Sequence, residues 1–308
     1  MRIRALSAVL PCLLLVLAAT SSCDLVPVET LTKIFEDEFE NFWPNLSPDG
    51  KYLAFCSDKD GNEYPYFEYD IYIVEIATGE LTQLTVNNTF EYMSIDQFPC
   101  WSSDSQWVYF SRLYSDRDVS DQGQLCRVPI TGGEENVEII TYNTEIIVMN
   151  SEGTMLAVFL VENNHALGLA TFDIATGQLS PVPNTEDIWF RSIKFTPDET
   201  GIIASMYYND NKVVTYPLDG SAPVEFNYNF DDIPTRISFA PDGTKCLFHV
   251  NSSMMLIPID GGDVEYINPD IQGGFNDSAY MYDGLVYFVN DYRDEDSIRR
   301  YALYNFKP

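Results

Sequence analysis

Two histidines stand in 308 residues, His165 and His249, and no Gly-x-Ser-x-Gly turn accompanies them. A serine hydrolase of the α/β kind needs that turn to expose its nucleophile, so acyl transfer of this type is excluded. Six cysteines are present. Cys12 and Cys23 lie near the N-terminus, whereas Cys56, Cys100, Cys126 and Cys246 fall inside strand-like stretches. None is at a C-x-x-C or Cys/His spacing that would hold a metal. Buried free thiols are the expected state of the last four. Asp58-Lys59-Asp60-Gly61-Asn62 alternates oxygen donors (Asp58, Asp60, Asn62) before a glycine, as calcium loops do, but no terminal bidentate Glu follows. An acidic hairpin without a metal is the competing reading, and no cofactor is expected. The remaining candidates bind rather than react. They are Tyr64, Tyr66, Phe67 and Tyr69 in one stretch, Asp116, Asp118 and Asp121 in a second, and Asp291 and Asp294 in a third. Aromatic rings give contact area at little entropic cost, and clustered carboxylates select cationic or hydroxylated partners.

The charge balance narrows the partner. The chain carries 17 Lys+Arg against 47 Asp+Glu, a net charge of −30. Such a field repels phosphate backbones, which excludes nucleic acid. It serves solubility, or it attracts a basic protein or peptide. Hydrophobic residues make up 45% and aromatic residues 14% of the chain, enough for a real core.

The N-terminus has the order of an export signal. Arg2 and Arg4 precede the apolar run from Ala5 to Ala19, and Thr20-Ser21-Ser22 lead to Cys23. Residues 1–22 are expected to be a lipoprotein-type signal peptide, Cys23 the lipidated residue, and 23–28 a short tether. Membrane contact is then through the lipid alone. Cleavage near Ala18 or Ala19, with Cys23 incidental, is the alternative.

From about residue 29 onward one unit repeats. Its clearest copy runs Ser47-Pro48-Asp49-Gly50, Tyr52-Leu53-Ala54-Phe55, Asp70-Ile71-Tyr72-Ile73-Val74, Ala77-Thr78-Gly79 and Leu81-Thr82-Gln83-Leu84-Thr85. Pro presets φ, Asp bonds the turn backbone and Gly accepts positive φ, giving strand, turn, strand, loop, strand, turn, strand. Acidic turn residues recur as Asp49, Asp104, Glu152, Asp198, Asp242 and Asp283, at spacings of 55, 48, 46, 44 and 41. Ile76-Ala77-Thr78-Gly79 returns unchanged as Ile174-Ala175-Thr176-Gly177. A four-stranded unit of this size cannot bury both faces alone, and radial stacking buries them. An all-β, six-bladed propeller follows, with blades near 40–85, 94–141, 142–183, 187–227, 233–267 and 274–308. The sixth unit shows three strand candidates, and Thr30-Leu31-Thr32-Lys33-Ile34 is patterned like the outer strand Glu80-Leu81-Thr82-Gln83-Leu84. Residues 29–35 are therefore expected to complete the last blade and close the ring within one domain, 29–308.

Residues 44–85 resemble the repeat of the TolB-like propeller family, written SPDGKxLAF, DIYxxD and LT in succession. The resemblance implies the same six-bladed fold, while propellers host many unrelated activities. It departs from TolB itself in having no room for an α/β domain before the first blade. Some related propellers are polysaccharide lyases with several axial histidines, and two are few for that role. The loops between second and third strands are long at 57–69 and 111–123, intermediate at 290–296, and short elsewhere. Blades six, one and two should thus raise one acidic, aromatic lip. The expected function is non-enzymatic binding of a protein or peptide at this lip or the channel mouth, by a monomer. Carbohydrate binding or lyase chemistry is the alternative.

Overall fold

The Ser47–Gly50 turn sets a geometry that most of the chain reuses. Ser47 Oγ donates to Asp49 Oδ1 (2.7 Å), which also accepts the Lys51 amide (3.1 Å). Gly50 closes the turn at φ 71°, a conformation that costs glycine nothing. Asp104, Asp198 and Asp242 accept the amide two residues on in the same manner. Two copies differ. Glu152 is exposed, and the bonds go instead to Asn150 Oδ1, which accepts from the Thr154 and Met155 amides. Asp283 and Gly284 both have positive φ (47° and 75°), the two-residue turn that matches the twist of its flanking strands.

The computed structural model describes residues 31–59, 69–86, 93–115, 123–207, 211–251, 253–267, 274–294, 296–297 and 299–308. The first strand is β1 (Leu31–Asp37). Blade one follows as β2 (Asn41–Leu46), β3 (Tyr52–Ser57), β4 (Asp70–Glu75) and β5 (Leu81–Gln83). Blade two is β6 (Met93–Trp101), β7 (Trp107–Ser115), β8 (Gly123–Pro129) and β9 (Glu138–Tyr142). Blade three is β10 (Thr144–Met149), β11 (Met155–Glu162), β12 (His165–Asp173) and β13 (Leu179–Pro181). Blade four is β14 (Phe190–Phe195), β15 (Gly201–Met206), β16 (Val213–Pro217) and β17 (Val224–Glu225). Blade five is β18 (Arg236–Phe239), β19 (Lys245–Val250), β20 (Ser253–Pro258) and β21 (Glu265–Tyr266). Blade six is β22 (Gly274–Tyr282), β23 (Leu285–Arg293) and β24 (Arg299–Phe306). A single 3-10 turn, Glu134–Asn136, is the one helical element among the described residues.

Each blade is a four-stranded antiparallel sheet, and the innermost strands β2, β6, β10, β14, β18 and β22 touch one another in a closed circle. Both sheet faces are therefore buried, which is why β3 and β4 are apolar almost throughout. The core is six apolar wedges, one between each pair of neighbouring blades. Leu53, Phe55 and Tyr72 of blade one meet Tyr287, Val289 and Leu303 of blade six in the wedge that seals the ring.

The seal itself is β1. It pairs antiparallel with β24, Leu31 opposite Phe306 and Lys33 opposite Tyr304, and completes the sixth sheet in the order β1-β24-β23-β22. Chain beginning and chain end thus share one sheet, which leaves β24 no open edge.

The last blade differs from expectation in one respect that matters for the site. β23 runs to Arg293, so Asp291 lies on a strand and not in a loop. The extension is stabilised by cross-strand charge: Arg299 of β24 grips Asp291 with bonds of 2.7 and 3.0 Å.

Candidate functional site

A propeller presents two ends. The Ser47–Gly50 type turns gather at one, here the turn face. The connections between blades and between second and third strands gather at the other, the loop face. Tyr64, Tyr66, Phe67, Asp116, Asp118, Asp121, Asp60, Asn62 and Cys23 lie outside the described residues. Tyr69, Asp58, Asp291 and Asp294 lie within them, all on the loop face of blades one and six.

Around them the structure builds one polar cluster at the ring seam. Glu40, just before β2, accepts the Tyr69 hydroxyl at 2.6 Å, the Tyr301 hydroxyl at 3.0 Å and Arg299 Nη1 at 3.5 Å. Its amide donates to Asp58 Oδ1 at 2.7 Å. Arg299 spans the seam, since it also holds Asp291. Tyr292 donates to Glu36 of β1 at 2.5 Å, and Asp294 accepts Arg300 at 2.9 Å. Burial, then the Glu40 carboxylate, pushes the Tyr69 phenol well above its usual range. Tyr301 is raised likewise, by burial and then by Glu40 and Asp291. Burial and the bond to Glu36 push Tyr292 up to about 12. All three are fixed hydroxyl donors at neutral pH. Asp58 is also raised, chiefly by burial. No group of three or more His, Cys, Asp or Glu side chains among the described residues is placed to hold a metal ion.

The histidines are far from forming a pair. His249 is buried within β19, its Nδ1 2.9 Å from Thr235 Oγ1. His165 opens β12 on another blade and meets Asp187 at 2.9 Å on the surface. Cys56, Cys100, Cys126 and Cys246 are all free and buried. Desolvation pushes the Cys100, Cys126 and Cys246 thiols up to about 12, so they are inert as nucleophiles.

The second feature is the axial channel, whose mouth the sequence offers as a binding place but whose lining residues it did not single out. Trp43 and Phe98 occupy the same position of two inner strands, each just before a proline, and both have positive φ (53° and 55°). Bulky residues rarely tolerate that region. Here each sits where its strand slips register against the next, between Phe42 and Asn45 and between Gln97 and Cys100. The bulges turn the two rings onto each other at 4.4 Å between centroids. Arg236, at the matching position of β18, lies over both rings, 5.5 and 5.7 Å from their centroids. Beside them is a neck of about 50 Å³, which Arg191 also lines. Toward the turn face the channel widens into a cavity of about 370 Å³, with Lys194 and Tyr280 in its wall. Alignment of the repeats was the available signal. Counting back from each turn puts Trp43, Phe98 and Arg236 in one layer, and Asn45, Cys100 and Lys194 in the next.

No protein-family sequence model matches the chain. A provisionally named TolB of Agrobacterium tumefaciens matches in three dimensions with a TM-score of 0.58 at 15% identity, over 90% of this chain and 97% of that one. The likeness is one of fold, a six-bladed propeller. A chain of the nidogen/laminin complex shares the architecture more distantly, with a TM-score of 0.54 at 7% identity, over 74% of this chain and 80% of that one. In sequence, an uncharacterized protein of Agrobacterium fabrum, Atu1656, is 30% identical over 109 residues, 35% of this chain and 31% of that protein. The match spans about a third of that relative's length. The propeller fold accounts for the ring and its turns, while the seam cluster and the channel lining are made by this chain's own residues.

Proposed function

We propose that this TolB-type propeller is a non-catalytic binding protein of the cell envelope, and that a protein or peptide docks on its loop face at the seam of blades six and one. The observation that carries this reading is the Glu40 cluster. Two half-buried or buried tyrosines and an arginine, drawn from both ends of the chain, are locked on one carboxylate. Side chains whose rotamers are already fixed lose little entropy when a partner arrives. The half-buried rim beside them, with Asp58 and the Arg-paired Asp291 and Asp294, offers carboxylates to a basic or hydroxylated surface. A propeller of similar architecture occurs within the nidogen/laminin complex, a setting in which the fold meets another protein. Envelope location rests on the signal-like N-terminus and Cys23, together with the TolB-type fold.

Site-specific photocrosslinking in intact cells tests the reading. Crosslinkers at the exposed Arg293 and Asp296 on the loop face should capture one defined partner, and that partner should bind the purified chain. Crosslinkers at Lys51 and Gln106 on the turn face should not. Equal capture from both faces, or none from the loop face, contradicts the docking site.

A further inference from the structure

Basic side chains stand among the described residues of the channel wall. The chain has 17 basic residues against 47 acidic ones, yet Lys194 and Arg236 line the axial neck. Lys194 is the informative one. It projects from β14 into the channel wall, and its ammonium makes no hydrogen bond or ion pair among the described residues. Its neighbours there are the Tyr280 ring, 5.7 Å from the nitrogen, and the buried Cys100 thiol. Glu199 stands at the turn-face rim, but its carboxylate is already engaged. Oε1 accepts the Ser151 amide and hydroxyl at 2.7 and 2.6 Å, and Oε2 accepts Asn150 at 3.0 Å. A half-buried ammonium with no hydrogen bond or ion pair, on which the Glu199 carboxylate acts only at longer range, is costly to the fold. Such residues persist where something outside the chain completes them.

We propose that the turn-face cavity is a binding site for a carboxylate carried on an apolar or aromatic group, with Lys194 as the charge partner. Three features set the ligand's chemistry. The single unpaired ammonium in the cavity wall matches one negative charge. A multiply charged phosphate would meet the repulsion of the whole anionic molecule with only this partner. The volume of about 370 Å³ is that of a small-ligand pocket and admits one or two residues of a peptide. The wall around Lys194 is largely apolar: Trp101, Met149, Phe195, Phe239, Tyr280 and Met281 supply a hydrophobic surround. The stacked pair Trp43 and Phe98 narrows the channel behind it, so a ligand enters from the turn face and stops. The carboxylate is either that of a small organic acid or the C-terminus of a peptide. This site lies at the opposite end of the ring from the proposed protein-docking seam and stands or falls independently of it.

The test is calorimetric titration of the full chain with four probes. These are N-acetylphenylalanine, its amide, a hexapeptide ending in a free phenylalanine carboxylate, and that hexapeptide as its amide. Each is measured on the wild type and on Lys194→Met, a neutral residue of similar length. The expected result is binding of at least one free acid, roughly tenfold or more tighter than its amide, with that preference lost in K194M. Binding by both acids assigns the pocket to carboxylates generally. Binding by the hexapeptide alone assigns it to a peptide C-terminus. No binding of either acid at millimolar concentration, equal binding of acid and amide, or an undiminished preference in a folded K194M would each overturn the proposal. Thermal melting of K194M, with Lys194→Gln as a second variant, separates loss of binding from loss of fold. If K194M does not fold, a loss of acid-over-amide preference in K194Q supports the channel site, and an unchanged preference overturns it.

Discussion

Arg112 is the most consequential charged residue in the ring. Its side chain is 5% exposed and lies against Asp96, which is fully buried, with Nε–Oδ1 and Nη2–Oδ2 at 2.7 and 2.8 Å. The rest of the guanidinium reaches Glu134 at 2.6 Å, and Glu134 in turn accepts the Val86 amide of the preceding blade at 3.3 Å. Replacement by Met keeps the aliphatic bulk but strands the Asp96 carboxylate without a counter-charge. Breaking one side of such a buried pair costs about 3–5 kcal/mol. For a domain of this size each kcal/mol moves the midpoint by about 2–4 °C, so R112M should melt roughly 6–20 °C below wild type. Removing both partners tells a different story: D96L/R112M leaves no buried charge and should recover to within about 1–2 kcal/mol of wild type. Glu134 is 42% exposed, and E134Q should cost no more than about 1 kcal/mol. Urea unfolding followed by tryptophan fluorescence measures all three. An R112M protein within about 1 kcal/mol of wild type, or a double variant as unstable as the single, would refute the reasoning that desolvation governs this pair.

Three other expectations follow from the packing and the titrating groups. Desolvation lowers the Lys194 pKa below its usual 10.5. The unfolded chain therefore binds more protons between the two values, and stability from this residue rises with pH through that window. K194M should be more stable than wild type at neutral pH by thermal melting, with the advantage shrinking toward pH 10.5; a destabilised K194M contradicts the desolvation argument. A Cβ on Gly123 would stand 1.9 Å from the Thr144 carbonyl oxygen of the next blade, whereas Gly79 has open space but a φ of +72°. G123A should thus destabilise by several-fold more than G79A, for which backbone strain of about 1 kcal/mol is expected; equal melting points would show that the inter-blade gap is looser than described. Tyr292 is raised to about 12, so the unfolded state ionises first and stability falls as pH climbs from 10 to about 12. Y292F should lose part of that alkaline slope in denaturant titrations, and an unchanged slope would place the effect on other phenols.

Much of the fold was legible because its signals are local. Turn chemistry at Ser47–Gly50, Ala240–Gly243 and their kin is dictated by neighbours in sequence, and the repeat carries it into four of the six blades. Closure was legible for the same reason, since Thr30–Ile34 carries an outer-strand pattern that the sixth unit lacks. The substitutions within the pattern were less visible. Asn150 accepts both turn amides, one of which goes to an aspartate and the other to a Ser or Thr hydroxyl in blades one, two and four, and this leaves Glu152 free of that role. Asp291 carries loop-like composition yet belongs to β23, because Arg299 neutralises it across the sheet. The channel escaped for a different reason. Trp43, Phe98, Lys194 and Arg236 come from four blades and approach only after the ring has closed. Their convergence depends on strand bulges, whose positive-φ residues are not glycines and so leave no mark in composition.

Both the seam cluster and the axial channel exist only if β1 lies on β24 in the stated register. A cysteine pair at Thr32 and Asn305, which face each other across that strand pair, measures this directly. On mild oxidation T32C/N305C should form an intramolecular disulfide in the native chain, mapped by proteolysis and mass spectrometry, and should raise the melting temperature. Thiols that remain reduced in the folded protein, or link only between molecules, would contradict a ring zipped shut by its own N-terminal strand.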